Sequence, residues 1–92
     1  MPARHLLITG LVQGVNFRHE AKAKADALHL TGWVRNNDAD GSLEMHIEGR
    51  PDALKEFEQW CQNGPQPARV ENVQAKDDPE DYGKSFVVQM SS

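Results

Sequence analysis

A short glycine-containing segment near the start of the chain has the composition of an anion-binding loop. It follows the apolar run 6–8, precedes an alanine-rich segment, and reads Gly10-Leu11-Val12-Gln13-Gly14-Val15-Asn16-Phe17-Arg18. A loop between a strand and a helix presents backbone N–H groups at the positive end of the helix dipole, where anions bind. Arg18 adds a planar fork of donors that matches phosphate oxygens. These residues predict a phosphate-binding corner between the first strand and the first helix.

The size and charge of the chain limit the function classes. At 92 residues it can build one hydrophobic core, so we expect residues 1–92 to form one domain. The net charge of −4 and the pI near 5.4 argue against a general nucleic-acid binder, which needs a basic surface to neutralise phosphates. A local positive pocket for one small anion is compatible with this charge.

The cysteine count and the apolar runs exclude further classes. Cys61 is the single cysteine, so an intrachain disulfide and a multi-cysteine metal site are excluded, and we expect it to fill space in the core. No apolar run approaches the roughly 20 residues that a membrane span needs, and no signal-peptide core is evident. We therefore expect a soluble cytoplasmic protein.

Hydrophobic periodicity predicts five strands and two helices that would position the loop. The strands are expected at residues 4–12, 32–36, 43–48, 70–76 and 85–90, and the helices at residues 17–30 and 51–62. Thr31-Gly32 is expected to end the first helix, and Asn63-Gly64-Pro65 the second. Residues 37–41 have the composition of a hairpin turn, and residues 77–84 that of a polar loop.

The alternation of apolar residues predicts which faces are buried. In the strand 43–48 we expect Leu43, Met45 and Ile47 to face a core, and Glu44, His46 and Glu48 to face water. In the strand 70–76 we expect Val73 and Ala75 to point inward.

The order of these elements is β-α-β-β-α-β with an additional terminal strand. This order predicts an α+β protein with the ferredoxin-like split β-α-β sandwich. In that architecture, an antiparallel sheet carries two helices on one face.

Two segments resemble the signature motifs of the acylphosphatase family. The segment 10–18 resembles the motif G-x-V-Q-G-V-x-F-R, and Gly32-Trp33-Val34-Arg35-Asn36 resembles a second motif that ends a strand on asparagine. The second motif continues to a turn glycine, here Gly41, and to a glycine after the next strand, here Gly49. Two motifs at compatible spacing make the match specific, and the predicted element order agrees with the family fold over essentially the whole chain.

The turn after the second motif departs from the family pattern. Four residues separate Asn36 from Gly41 where the family usually has three, so Asn36 and Asn37 are both candidates for the asparagine of the motif. We choose Asn36 because it directly follows Gly32-Trp33-Val34-Arg35, and because an inserted residue is tolerated best in the turn. A shift by one residue would point the side chain to the other face of the sheet.

The resemblance implies hydrolysis of acyl phosphates to a carboxylate and inorganic phosphate. The backbone amides of Gln13, Gly14, Val15, Asn16, Phe17 and Arg18, with the Arg18 guanidinium, would hold the phosphoryl oxygens, and Asn36 would orient the attacking water. We expect no cofactor and no metal. The expected partners are a small-molecule acyl phosphate as substrate and inorganic phosphate as product and competing ligand, with no nucleic acid and no membrane. Nothing in the sequence requires more than a monomer.

Several other polar and aromatic residues have simpler explanations. We expect Trp33 and Trp60 to pack, Arg35 to lie on the face opposite Val34 and Asn36, and His19 to stay outside the mechanism although it adjoins Arg18.

Two other function classes compete with an enzyme. One is a non-catalytic anion- or phosphate-binding module of the same fold. The other is an RNA-binding sheet, which would need exposed aromatic and basic side chains on its open face. The third strand offers Glu44, His46 and Glu48 there instead, which argues against RNA.

Overall fold

The computed structural model describes residues 1–90, which form two helices and five strands. In chain order these are β1 (Ala3–Leu11), α1 (Phe17–Ala27), β2 (Thr31–Asn36), β3 (Leu43–Glu48), α2 (Pro51–Cys61), β4 (Arg69–Asp78) and β5 (Phe86–Val88). Neither helix within residues 1–90 has the length and apolar character that crossing a bilayer requires.

The strands form one sheet in the order β4-β1-β3-β2-β5. β1 pairs antiparallel with β3 and β4, and β2 pairs antiparallel with β3, which is the predicted ferredoxin-like arrangement. β5 instead lies parallel to β2, so the sheet is mixed rather than wholly antiparallel. The reason is that β4 ends beside Ala3, at the same end of the sheet where β5 begins beside Gly32. β5 therefore runs opposite to β4 and in the direction of β2.

Both helices cover the same face of the sheet, as predicted. The helical residues in the core are Phe17, Ala21 and Ala25 of α1 and Leu54, Phe57 and Cys61 of α2. They pack in one cluster with the sheet residues Leu6, Ile8, Val34, Leu43, Met45 and Ile47. Burial raises the pKa of the Cys61 thiol well above its usual range, which agrees with the predicted role as an apolar core residue.

Helix α1 is shorter than predicted, ending at Ala27 instead of residue 30. His29 adopts a left-handed conformation with φ of 57°, and its N–H donates to the carbonyl of Asp26. The N–H of Leu30 donates to the carbonyl of Ala25, which completes a Schellman motif. His29 thus ends the helix, a role that the sequence suggested for Thr31-Gly32. Those two residues instead begin β2.

The prediction that one face of β3 lies in water is wrong for two of its three residues. His46 is 4% exposed and Glu48 is 7% exposed. Residues 79–85, the crossover segment, carry the chain from β4 to β5 and cover this end of the sheet. The backbone N–H groups of Asp81 and Tyr82 donate to the Glu48 carboxylate at 2.7 and 3.2 Å.

Of the two residues of β4 predicted to point inward, Val73 packs against the core as predicted and Ala75 does not. Ala75 is exposed and Val73 is half-buried, because β4 is an edge strand of which only Val70 and Val73 pack against the core. The pairing of β1 with β4 shifts register between Thr9 and Gly10, and this irregularity lets both valines reach the same side.

Candidate active site

The order of the strands brings Asn36 to the end of β1. Leu43 of β3 pairs with Ile8 of β1 on one side and with Asn36 of β2 on the other. Residues that pair across neighbouring strands point to the same face of a sheet, so the Asn36 side chain points toward the helices, as Ile8 and Leu43 do. Residues 12–16, the β1–α1 loop, leave β1 at this same end.

A pocket of about 180 Å³ lies between this loop, the start of α1 and β2. It is lined by Val12, Gly14, Asn16, Phe17, Arg18, His19 and Asn36. The structure therefore brings Arg18, near the start of α1, and Asn36, the last residue of β2, to one pocket. Of the other loop residues predicted to bind, Gly14, Asn16 and Phe17 line the pocket, whereas Gln13 and Val15 do not.

The backbone of the loop leaves N–H groups available at the start of α1. Gly14 and Asn16 have φ values of 72° and 63°, in the left-handed region that glycine and asparagine tolerate best. Asn16 is the N-cap residue of α1, yet its side chain makes no capping hydrogen bond. The first N–H groups of an α-helix have no partner within the helix, so they can donate to an anion here.

Gln13 ties the loop to the hairpin between β2 and β3. Its Nε2 atom donates to the carbonyl oxygens of Asn37 and Ser42, each at 3.0 Å. This contact holds the loop against the end of β2 that carries Asn36. The sequence suggested only a backbone role for Gln13, because no local pattern shows that its side chain reaches carbonyl groups more than 20 residues away.

Asn36 and Asn37 have different surroundings. Asn36 is 8% exposed, and its Oδ1 atom is buried with no hydrogen-bond partner among residues 1–90. The Asn37 side chain points to the other face, where Nδ2 donates to Oγ of Ser42 at 3.0 Å and to Oε1 of Glu44 at 3.2 Å. The structure thus places Asn36, and not Asn37, against the pocket.

Arg18 is half-buried at the edge of the pocket, and a backbone carbonyl group outside the pocket binds its guanidinium. Its Nη1 atom donates to the backbone carbonyl of Gln89, just after β5, at 3.1 Å. One of the five guanidinium N–H donors is used in this bond, and the others remain for a ligand. Gln89 was not predicted as part of the site, and no motif in the sequence marks it.

The remaining candidates lie where the sequence suggested, with one exception. Arg35 is on the opposite face, with Nη2 at 2.9 Å from Glu44 and the guanidinium 5.1 Å from the centre of the Trp33 ring. Trp60 packs edge-on against Phe17 in the core. The exception is His19, which we expected to stay outside the mechanism and which is exposed and lines the pocket. Among residues 1–90, no three His, Cys, Asp or Glu side chains are grouped so that they could hold a metal ion.

Comparison with protein families assigns the chain to one of them. The family model described as Acylphosphatase matches residues 4–88. The chain belongs to the acylphosphatase family. An acylphosphatase from Nocardioides sp. is 46% identical over 81 residues, which cover 88% of this chain and 81% of that relative.

Solved acylphosphatase structures share the fold over almost the whole chain. The acylphosphatase from Bacillus subtilis superposes with a TM-score of 0.92 at 30% identity, covering 97% of this chain and 99% of that one. The acylphosphatase from Coxiella burnetii gives a TM-score of 0.92 at 34% identity, covering 96% and 92%. These matches confirm the predicted fold and the interpretation of the chain as an enzyme that hydrolyses acyl phosphates. The alternative of a non-catalytic anion-binding module is not supported.

Proposed function

We propose that the pocket binds the phosphoryl group of the acyl phosphate between the β1–α1 loop and Asn36. The guanidinium of Arg18 and the backbone N–H groups from Gln13 to Arg18 would bond the phosphoryl oxygens, and four of these six residues, Gly14, Asn16, Phe17 and Arg18, line the pocket. In support, the loop is left-handed at Gly14 and Asn16, the start of α1 lacks a side-chain cap, and Arg18 provides the positive charge. Fixed donors and a cation are what phosphoryl transfer requires of a protein, because charge spreads over the equatorial oxygens in the transition state.

The single observation that carries the role of Asn36 is its buried oxygen without a partner. A buried polar atom with no hydrogen bond lowers stability. Because this oxygen is covered in the free protein, a small turn of the amide toward the pocket would lose no hydrogen bond and would let it accept from a ligand. A water molecule bonded to Oδ1 would have its proton directed to the asparagine and a lone pair free for the phosphorus. Asn36 would thus position the water, since an amide oxygen is too weak a base to deprotonate it.

The reaction needs no acid catalyst for the leaving group. Water adds to the phosphorus, and the bond between phosphorus and the carboxyl oxygen breaks, so the products are a carboxylate and inorganic phosphate. The conjugate acid of the leaving carboxylate has a pKa of about 4, so it departs as an anion near neutral pH. A phosphoryl oxygen of the substrate receives the proton of the water. We propose that these steps proceed without a metal ion.

Neighbouring asparagines give a matched test of this assignment. We expect Asn36→Ala to lower kcat for benzoyl phosphate by about a hundredfold or more, since one positioned hydrogen bond in an active site contributes that much. Asn37→Ala, one residue away on the other face, should keep kcat within about threefold, as for groups that do not meet the substrate. The assay contains a chelator, so that the same experiment tests independence from metal ions. Equal losses in the two variants would contradict the choice of Asn36.

The competing ligand, the domain organisation, the oligomeric state and the location of the protein complete the proposal. We propose that inorganic phosphate competes with the acyl phosphate, which steady-state inhibition at several substrate concentrations tests directly. We propose that residues 1–92 act as one domain and as a cytoplasmic monomer. Light scattering coupled to size exclusion checks the monomer. The net charge of −4 supports a small-molecule substrate and no nucleic-acid partner.

A further inference from the structure

The backbone of Gln89 bonds both Arg18 and the strand that carries Asn36. Its N–H donates to the carbonyl of Val34 at 2.8 Å, and its carbonyl accepts from Nη1 of Arg18 at 3.1 Å. Val34 lies two residues before Asn36 on β2 and points to the same face. One residue therefore connects the strand that carries Asn36 to the guanidinium of Arg18.

The segment around Gln89 is anchored firmly enough to serve as a fixed support. Phe86 is buried in the core beside Phe57, and β5 pairs in register with β2 from Gly32 to Val34. Lys22, one helical turn beyond Arg18, donates from Nζ to the carbonyl of Phe86 at 2.9 Å. Two cationic side chains of α1 thus bond carbonyl groups at both ends of the same short segment.

Arg18 gains from such a support because a free arginine is flexible. An arginine side chain has many rotamers, and a ligand that must order them binds less tightly than one that meets a fixed guanidinium. A carbonyl is a suitable support, because it takes one donor and adds no negative charge that would compete with phosphate. The bond to Gln89 therefore orders Arg18 while leaving its charge available.

We propose that the backbone of Gln89 is a positioning element that sets Arg18 relative to Asn36 before the substrate binds. This inference rests on the roles proposed above for Arg18 and Asn36. It assigns to residues 86–89, whose side chains are not among those that line the pocket, the function of holding the pocket's cation in place.

Two substitutions at the same position separate the backbone of Gln89 from its side chain. Gln89→Ala keeps both peptide groups, so KM for benzoyl phosphate and the inhibition constant of phosphate should stay within twofold. Gln89→Pro removes the N–H that bonds Val34 and displaces the carbonyl. We expect it to raise both constants several-fold and to lower kcat/KM by about tenfold, since small displacements of a positioned group have effects of this size or larger.

Comparing kcat with KM and with the inhibition constant of phosphate distinguishes a displaced Arg18 from a loss of folded protein. A partly unfolded preparation has fewer active molecules, which lowers the apparent kcat but leaves KM and the inhibition constant unchanged. Unchanged KM and phosphate inhibition in Gln89→Pro would therefore overturn the proposal. If Arg18→Ala keeps full turnover, the proposed site itself fails, whatever Gln89→Pro does.

If Gln89→Pro does not fold, a measurement on the unmodified protein tests whether Arg18 is ordered before the substrate binds. The Nε–H signal of each arginine reports the order of its side chain through the ¹⁵N heteronuclear NOE, and Arg18→Lys identifies the signal of Arg18. In the phosphate-free protein we expect Arg18 to give a high NOE, close to that of the backbone, and the exposed Arg50 to give a low one. A value for Arg18 as low as that for Arg50 would overturn the proposal.

Discussion

The N-termini of the two helices have the same position in their β-α units but different chemistry. Each helix has 11 residues, and neither has a side-chain bond from its N-cap residue. At α2 the first residue is Pro51, which has no N–H, and the Asp52 carboxylate accepts from the N–H of Ala53 at 3.0 Å. At α1 the N-cap residue Asn16 is left-handed, and Arg18 lies in the first turn.

The difference shows that a helix N-terminus alone is not an anion site. The dipole favours negative charge at the N-terminus of each helix, and α2 meets that preference with Asp52, whose carboxylate accepts from the N–H of Ala53. The first turn of α1 also contains an acidic residue, Glu20, but it carries the cation Arg18 as well, which is disfavoured there and lines a pocket with Asn36. This arrangement stabilises the free protein less than a carboxylate would, and it makes sense if the anion comes from a ligand.

The largest expected effect comes from removing the cation of the first turn. Arg18→Ala should lower kcat/KM for benzoyl phosphate by about a thousandfold or more, because an arginine at a transferring phosphoryl group contributes 10³ or more. Arg50→Ala, at the N-cap of α2, should leave kcat/KM unchanged. Steady-state kinetics measure both. A loss for Arg50 comparable with that for Arg18 would mean that overall charge, and not the α1 site, binds the substrate.

The next effect comes from the left-handed backbone of the loop. Gly14 and Gly41 have φ of 72° and 75°, and an added Cβ would meet no atom within 4 Å at either position. Alanine at each should therefore lower the free energy of unfolding by a similar amount, about 1–2 kcal/mol. Only Gly14→Ala should also lower kcat/KM, by about tenfold or more, because it moves the amides of the loop. Thermal melts and kinetics on both variants separate the two effects.

A smaller effect should follow from placing a carboxylate at the N-cap of α1, where Asn16 lines the pocket. Asn16→Asp places a negative charge at the start of α1, where it interacts favourably with the dipole but repels the phosphoryl group. We expect KM and the inhibition constant of phosphate to rise several-fold, with Tm unchanged or higher. Asn16→Ser serves as the uncharged control. Tighter phosphate binding by Asn16→Asp would contradict a phosphate site at this helix end.

The smallest effect on catalysis should come from substituting His46, which lies under the crossover segment at the other end of the sheet. Nδ1 of His46 lies 2.7 Å from Asp78, and Nε2 lies 3.2 Å from Glu48. Burial acts to lower the pKa of His46, but its bonds to the two carboxylates outweigh this and raise the pKa above 6.5. Burial acts to raise the pKa of Glu48, and the N–H groups of Asp81 and Tyr82 together with His46 bring it below 4.5.

These shifts give a pH dependence of stability with a definite sign. The contribution of His46 is complete below its unfolded pKa of 6.5 and is lost as pH rises through the raised folded value. The contribution of Glu48 is complete above 4.5 and is lost as pH falls through the lowered folded value. Tm should therefore be highest between these pH values. His46→Gln should flatten the alkaline decline of Tm by a few degrees and leave KM unchanged.

The residues with a repeating pattern could be assigned from the sequence, and those that depend on distant partners could not. Leu43, Met45 and Ile47 alternate, so β3 and its core face were predicted and are confirmed. The burial of His46 and Glu48 was missed, because the polar residues 79–85 that cover them have no periodicity. Asn36 was chosen over Asn37 by its place in the motif, and the structure brings that residue to the pocket.

The sequence by itself determined the local chemistry of this protein. Three features belong to short segments that the acylphosphatase motifs make recognisable. They are the left-handed backbone at Gly14 and Asn16, the cation of Arg18, and the strand that ends on Asn36. The tertiary structure alone decided that Gln13 bonds the far hairpin, that β5 lies parallel to β2, and that Gln89 holds Arg18. The acceptors in the bonds of Gln13 and Arg18 are backbone carbonyl groups. Because every residue carries such a group, the types of side chain in the sequence do not predict these contacts.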